Sequence, residues 1–330
     1  MRSSPRLRPG CAVGLAHQGV LPKTWQTCDW SAASAEHSRP ARCSNSGKGP
    51  HRWYSCRRVG ARARHLVDDV TDEQFERIER AIDSFTKARL NGVYFPPEWY
   101  NRLSLDDACR VQLGVLQRLV ADGAKHIGWK VGLTSEAIQR QFGVPEPVFG
   151  FLRAEGGHQS PAILQVDALI RPGIENEMCV TLGHDLRGPG VDEAHARASV
   201  RSVRSAMELV ETRGPFTEQL AVAIGENVQQ KGVILSEEVL VLPDDFDLAA
   251  VGVEVQLRGE TIARASGEAV LGDPLRSIAW LANKLSQSNL GLAPGQLVMT
   301  GSLTRQFQAQ RGDTFRATWQ PLGVVIAEFQ

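Results

Sequence analysis

Glu175 and Glu177, in the run Leu169-Ile-Arg-Pro-Gly-Ile-Glu-Asn-Glu-Met-Cys-Val-Thr-Leu182, are carboxylates two positions apart in a stretch that ends in β-forming residues. On a strand, side chains alternate between faces, so both acids point one way while Ile174 and Asn176 point the other. Two carboxylates on one face are half of a site for a hard divalent cation. Magnesium takes oxygen ligands in near-octahedral geometry and keeps several waters, which leaves room for an oxygen-rich substrate. Glu208, in the apolar run Ala206-Met-Glu-Leu-Val-Glu-Thr-Arg213, is the candidate third ligand. An isolated E-x-E is most often a solvated strand edge, so other residues must carry the case.

Lys130 lies in Gly128-Trp-Lys-Val-Gly-Leu-Thr-Ser135, among apolar and glycine neighbours. Such a setting either lowers an ammonium pKa or holds the charge against an anionic substrate. Thr300 and Ser302, on either side of Gly301, could donate hydroxyls to a substrate carboxylate or simply bond within the turn. His126 reads as a structural group, His158 and His184 as loop residues, and Trp280 as core. The chain has no GxxxxGK[ST] phosphate loop, no HExxH helix, no GxSxG elbow and no GxGxxG dinucleotide turn.

The elements that must position these residues begin near Thr71. Phe75, Ile78, Ile82 and Phe85 recur at helical spacing behind an N-capping Thr71. A second helix follows Ser104, with Ala108, Val111, Val115 and Leu119 as its apolar stripe. After residue 125 the texture changes to short β-like runs separated by Gly and Pro, at 127–131, 180–182, 232–235, 251–257, 296–300 and 323–329. Helical segments are expected to interrupt them near 192–206 and 274–287, the latter on Ile278, Leu281 and Leu285.

The chain has 330 residues and no net charge, but the charge is unevenly spread. Residues 1–65 carry 12 Lys or Arg against 2 Asp or Glu, leaving 25 against 35 for residues 66–330. The first segment shows no helical or strand period and reads as a disordered basic tail or an over-extended gene start. Residues 66–330 read as one catalytic domain, a helical lead-in over 66–125 followed by a β-rich metal-binding body over 126–330. No apolar run reaches the roughly 18–20 residues that cross a bilayer, and no nucleic-acid-binding fold or aromatic spacing appears. Cys11, Cys28, Cys43 and Cys56 match neither a redox pair nor a zinc finger, and Cys109 and Cys179 read as free thiols, which points to a cytoplasmic location.

The ordered series G-W-K-V-G-L-T-S, E-P-V-F-G-F-L, I-E-N-E-M and M-E-L-V-E-T-R resembles the fumarylacetoacetate hydrolase superfamily, in its 2-oxo-acid hydratase and 4-oxalocrotonate decarboxylase branch. Val270-Leu-Gly-Asp-Pro-Leu-Arg-Ser-Ile-Ala-Trp-Leu-Ala-Asn-Lys-Leu285, Pro294-Gly-Gln-Leu-Val-Met-Thr-Gly-Ser-Leu-Thr304 and Arg311-Gly-Asp-Thr-Phe315 extend the likeness, which is similar to the 2-oxohept-4-ene-1,7-dioate hydratases and covers about residues 70–330. The resemblance implies an α+β fold, a mixed β-sandwich roll with a helical N-terminal lead-in. It also implies Mg2+ or Mn2+ held by Glu175, Glu177 and Glu208, with Lys130 as the active-site lysine. Glu226 and Asn227, in Ile224-Gly-Glu-Asn-Val-Gln-Gln-Lys-Gly-Val-Ile-Leu235, stand where the family has an Asp-Asn-Ala-rich segment, which makes Glu226 a candidate catalytic acid and Asn227 a substrate-binding amide. Thr300 and Ser302 join them as substrate contacts.

What the resemblance implies for function is a metal-dependent hydratase of 2-hydroxy-dienoate or 2-oxo-alkenoate intermediates of aromatic catabolism. Val148 stands where such hydratases carry an Asp and decarboxylases a β-branched apolar residue, so an oxalocrotonate-type decarboxylase is the alternative. C–C hydrolysis of an acylpyruvate would need a water-activating base that the sequence does not offer. A catalytically silent partner subunit is the remaining reading. The implied partners are a small 2-oxo acid, a second copy of the chain and possible association of hydratase with decarboxylase.

Overall fold

In a computed structural model the described residues are 71–330; the expected basic tail over 1–65 lies outside them. Two helices lead, α1 (Asp72–Leu90) and α2 (Leu105–Ala121), followed by β1 (His126–Gly132), α3 (Glu136–Phe142), β2 (Val148–Arg153), β3 (Gly157–Gln159), β4 (Ala162–Leu164) and β5 (Pro172–Leu182). Then come α4 (Glu193–Ser199), β6 (Val200–Glu211), α5 (Leu220–Gly225), β7 (Gln230–Leu235), β8 (Leu240–Val241), β9 (Gly252–Leu257) and β10 (Glu260–Ser266). The chain closes with α6 (Pro274–Ser286), β11 (Leu297–Ser302), β12 (Phe307–Gln308), β13 (Thr314–Gln320) and β14 (Gly323–Phe329).

Both leading helices start where their caps demand. The Thr71 hydroxyl accepts from Gln74 N–H, and the Ser104 hydroxyl from Asp107 N–H. The stripe expected on α2 is buried in full, and on α1 Ile78, Ile82 and Phe85 are buried. Phe75 is the exception at 60% exposure, because the first turn of α1 stands in solvent with Asp72 and Glu73.

A nine-stranded mixed sheet runs β2-β1-β11-β5-β6-β7-β3, with β12 added beside β5 and β8 beside β6. The second sheet has five strands in the order β10-β9-β13-β14-β4. β14 packs on β6 and β7, and α6 packs on β1 and β11. This is the α+β mixed sandwich with a helical lead-in that the motifs imply. The helix expected over 192–206 is a correction. It stops at Ser199, and the next residues form the long strand β6. Pairing with β5 along nearly its whole length outweighs local helical preference there, and Val200, Val203 and Val210 suit a pleated surface.

The large sheet has two different faces. Trp129, Phe149, Phe151, Ile174, Met178, Val180, Met207 and Leu209 enter the main apolar core. The other face carries a smaller apolar cluster that includes Leu152, Cys179, Ala206, Val233 and Met299. By the two-residue period, Lys130, Glu175, Glu177 and Glu208 project on that second face.

Candidate metal centre

Strand register, not sequence proximity, assembles the acids. On β5 and β6 Glu175 lies directly opposite Glu208, and Glu177 opposite Ala206. Each of the three glutamates offers a carboxylate oxygen, and these oxygens all lie within 4.8 Å of one another. Glu177 and Glu208 are fully buried. The Lys130 ammonium, 3% exposed, approaches from β1 to 3.4 Å from Glu208 Oε1.

Close backbone approach makes room for this lysine. A Cβ on Gly132 would sit 3.2 Å from Lys130 Nζ, so a larger residue there would press on the ammonium. Gly301, in β11, plays a different part. Its N–H donates to Glu177 Oε2 at 2.9 Å, its φ is +115°, and a Cβ there would lie 2.5 Å from Thr134. Only glycine fits both the torsion and the space. The sequence reading did not assign Gly301, although a glycine between two hydroxyl residues at a strand end was its visible signal.

The centre is electrostatically incomplete. Three carboxylates face one ammonium, and Glu177 Oε1 and Glu208 Oε2 are buried without a hydrogen-bond partner. Burial, reinforced by the Glu208 charge and opposed by Lys130, pushes the Glu175 carboxyl up to about 7. Burial and the charges of Glu208 and Glu175 raise Glu177 well above the ordinary carboxylate range. Burial raises Glu208 too, with Lys130 opposing. For Lys130, burial works against the ammonium, but Glu208, Glu175 and Glu177 outweigh it and hold the pKa above the usual lysine value. Of the two settings the sequence allows, the cluster without an ion holds the lysine charged rather than lowering its pKa. A divalent cation fits this donor set, because it would neutralise the excess charge and engage the orphaned oxygens.

The other candidate residues are placed differently. Glu226 is buried but directed to the lead-in: Oε1 accepts from Phe95 N–H at 3.2 Å and Oε2 from Arg89 at 3.4 Å. Burial raises its pKa against the pull of Arg89 and Arg213. Both oxygens are thus engaged with residues outside the carboxylate cluster. The Asn227 amide is closed onto β2, accepting from Phe151 N–H at 2.7 Å and donating to Phe151 O at 2.9 Å. Asn227, Val228 and Gln229 all have left-handed φ, of +64°, +52° and +60°. Such a run is strained for a β-branched residue and is held by its surroundings. Thr300 donates across to Met178 O on β5 at 3.2 Å and Ser302 to Thr304 O within the turn at 2.8 Å, so both hydroxyls are engaged by backbone carbonyls. His126 is buried against the Trp129 ring, and burial lowers its pKa to about 4, so it carries no charge at neutral pH. Trp280 is partly buried, with its indole N–H donating to Glu146 Oε2 at 3.0 Å.

The fold and centre define a class: a β-sandwich roll that buries a cluster of three carboxylates beside a lysine. The chain belongs to the fumarylacetoacetate hydrolase family, whose profile, described as Fumarylacetoacetate (FAA) hydrolase C-terminal, matches residues 135–330. It is 32% identical over 231 residues to a 4-oxalocrotonate decarboxylase of Pseudomonas putida, covering 70% of this chain and 87% of that one. It is 30% identical over 237 residues to a 2-oxo-hept-4-ene-1,7-dioate hydratase of Escherichia coli, covering 70% and 88%. The structure of a 4-oxalocrotonate decarboxylase of Pseudomonas putida G7, complexed with magnesium and adipate, superposes with a TM-score of 0.73 at 29% identity, covering 78% of this chain and 98% of that one. A second structure of that enzyme is complexed with calcium and acetate. These relatives are named as hydratases and decarboxylases, both of which are lyases. Among the described residues no helix is long and apolar enough to cross a membrane.

Proposed function

We propose that this chain is a divalent-metal-dependent lyase, a hydratase of 2-hydroxy-dienoate or 2-oxo-alkenoate intermediates of aromatic catabolism, with Mg2+ as its ion and Mn2+ as a substitute. One observation carries the reading: Glu175, Glu177 and Glu208 converge, with unsatisfied buried oxygens, beside the Lys130 ammonium. A divalent ion held there supplies Lewis acidity toward the carboxylate and 2-oxo oxygens of the substrate. Lys130, buried beside the three acids, binds the substrate anion or delivers a proton to it. The Gly301 N–H fixes the orientation of Glu177. Asn227 acts on β2 rather than on substrate, holding Phe151 and with it the strand that pairs with Lys130. Glu226 has a positioning part at most, through Arg89 and Phe95.

Decarboxylation of an oxalocrotonate-type diacid is the second reading. Val148 favours it, since it sets an apolar side chain opposite Gly132 on the strand pair that carries Lys130, where a hydratase would gain from an acid to handle water. Incubation with 2-hydroxypenta-2,4-dienoate or with 4-oxalocrotonate, each with Mg2+, separates the two. Loss of the dienol absorbance without gas supports hydration, and carbon dioxide from the diacid supports decarboxylation. A silent partner subunit would show no Mg2+-dependent binding of oxalate by calorimetry. A cytoplasmic homo-oligomer, associated with a lyase of the complementary type, completes the proposal; Cys109 and Cys179 as free thiols agree with a reducing compartment.

A further inference from the structure

Lys130 runs past two glycines that the turn at 227–229 also borders. The point that a Cβ would occupy on Gly150, the register partner of Lys130 on β2, lies 3.2 Å from Lys130 Cγ and 2.9 Å from Asn227 Oδ1. The corresponding point on Gly132 lies 3.2 Å from Lys130 Nζ, 3.4 Å from Val148 Cγ2 and 3.9 Å from Val228 Cγ1. Asn227 thus shares a glycine with the stem of the lysine, and Val228 shares one with its ammonium.

The turn is held against its own torsions. Val228 has a φ of +52°, crowded for a β-branched side chain. Its N–H donates to Ala223 O at 2.7 Å, and Asn227 N–H to Ile224 O at 2.9 Å. Beside Gly150, Asn227 closes onto both polar groups of Phe151, and the buried Gln112 amide of α2 bridges Phe149 O at 2.8 Å and Ile224 O at 2.9 Å. Glu226, one residue earlier, is tied to Arg89 and Phe95. The Val228 side chain is buried in one apolar cluster with Val148, Ala108, Val144, Leu220 and Ile224. Glycine adopts this φ freely, so the torsion alone gives no reason for a valine.

We propose that Val228 is a positioning residue for Lys130: the left-handed turn delivers its side chain, with that of Val148, as a wall that keeps the ammonium against Glu208. Strain that the surroundings over-determine is often stored where a functional geometry must be fixed. The inference rests on Lys130 as the active-site ammonium of the lyase reading, and Val228 acts through that lysine alone.

The test compares Val228→Gly and Val228→Thr with the parent. Glycine relieves the torsion but removes a buried side chain, so the two effects oppose and the urea midpoint should stay close to that of the parent. With Mg2+ and whichever of the two acids named above the parent turns over, Val228→Gly should lose roughly tenfold or more in kcat. Its KM and calorimetric Mg2+ affinity should hold within about twofold. Val228→Thr keeps the branched shape and should hold kcat within about threefold. A second readout needs neither ion nor turnover: reductive methylation of Lys130 in the metal-free protein, scored by mass spectrometry, should rise at least about fivefold in Val228→Gly and not in Val228→Thr. Parent-like turnover or unchanged Lys130 methylation in Val228→Gly overturns the inference and leaves the lyase reading intact. A loss of turnover that only follows a lowered urea midpoint assigns Val228 to folding and also overturns it. Absence of Mg2+-dependent turnover in the parent overturns the lyase reading, and the methylation comparison then decides by itself whether the turn holds Lys130.

Discussion

Two clusters of buried charge share strand β6, through Glu208 and Glu211, and differ in one respect. Around Tyr94, the Glu211 carboxylate takes Ile170 N–H, Lys231 and Arg213, and Glu226 takes Arg89 and Phe95 N–H, so both acids have donors on each oxygen. Arg213 also stands 4.6 Å over the Tyr94 ring. At the carboxylate centre three acids share one lysine, and buried oxygens go without donors. Both acids of the first cluster are satisfied by the chain's own donors, and through Arg89 and Phe95 they tie the lead-in to the sheet. The acids of the second are left with more buried oxygens than donors. Buried acids by themselves therefore do not mark a site; the shortage of partners does.

The sharpest way to break this contrast is to remove one ligand. Glu208→Gln should lower Mg2+-dependent turnover roughly thousandfold, the loss of several kcal/mol of charge stabilisation. Its metal-free form should be no less stable than the parent, because like charges are relieved. A turnover within tenfold of the parent would separate the acids from the chemistry. The complete cluster should respond in the opposite manner. Arg213→Met leaves Glu211 with Lys231 and the Ile170 N–H on one oxygen and nothing on the other, and should lower unfolding free energy by about 3 kcal/mol in urea titration. Its calorimetric Mg2+ affinity should not change.

A smaller effect separates binding from proton handling within the centre. Lys130→Met should lower kcat roughly hundredfold, while Mg2+ affinity holds or rises, because a cation leaves the site. The smallest effect is the pH dependence of the metal-free protein. Glu175 has a folded pKa of about 7 against 4.5 for its ordinary value, raised first by burial and then by Glu208. A group raised on folding contributes stability at pH below its unfolded value and loses it as pH rises through the folded value. The metal-free protein should therefore lose stability from about pH 4.5 to 7. Mg2+ should raise the unfolding midpoint more at pH 8 than at pH 5.5, by the order of 1.4 kcal/mol at ten times its Kd. Equal midpoint shifts at the two pH values would show that protons and metal do not compete there.

Much of this was legible before any coordinates. The E-x-E pair, the lysine in its glycine-flanked strand and the capped helices are local patterns with short periods, and strands or helices stand where those patterns place them. Less legible was anything requiring a count across a long separation. Glu208 is visible as an acid in an apolar run, but its element is not: the helix expected over 192–206 ends at Ser199, and the strand that follows carries Glu208. Glu226 and Asn227 carry site-like residue types, but the fold spends Glu226 on Arg89 and Asn227 on the Phe151 backbone. The Gly301 N–H could not be read from side-chain chemistry, since a backbone donor has no residue type of its own.

By itself the amino-acid order determined which groups exist and which face of a strand each occupies, because side-chain alternation is a property of the single chain. It put Glu175 and Glu177 on one face of a strand. Only the tertiary structure decided that Glu208 stands opposite Glu175, since that depends on the register between β5 and β6, and a slip of one residue would turn Glu208 to the other face. The same packing decided which buried acids were satisfied and which were left to attract a cation, because desolvation and partners are set by what surrounds a group in space.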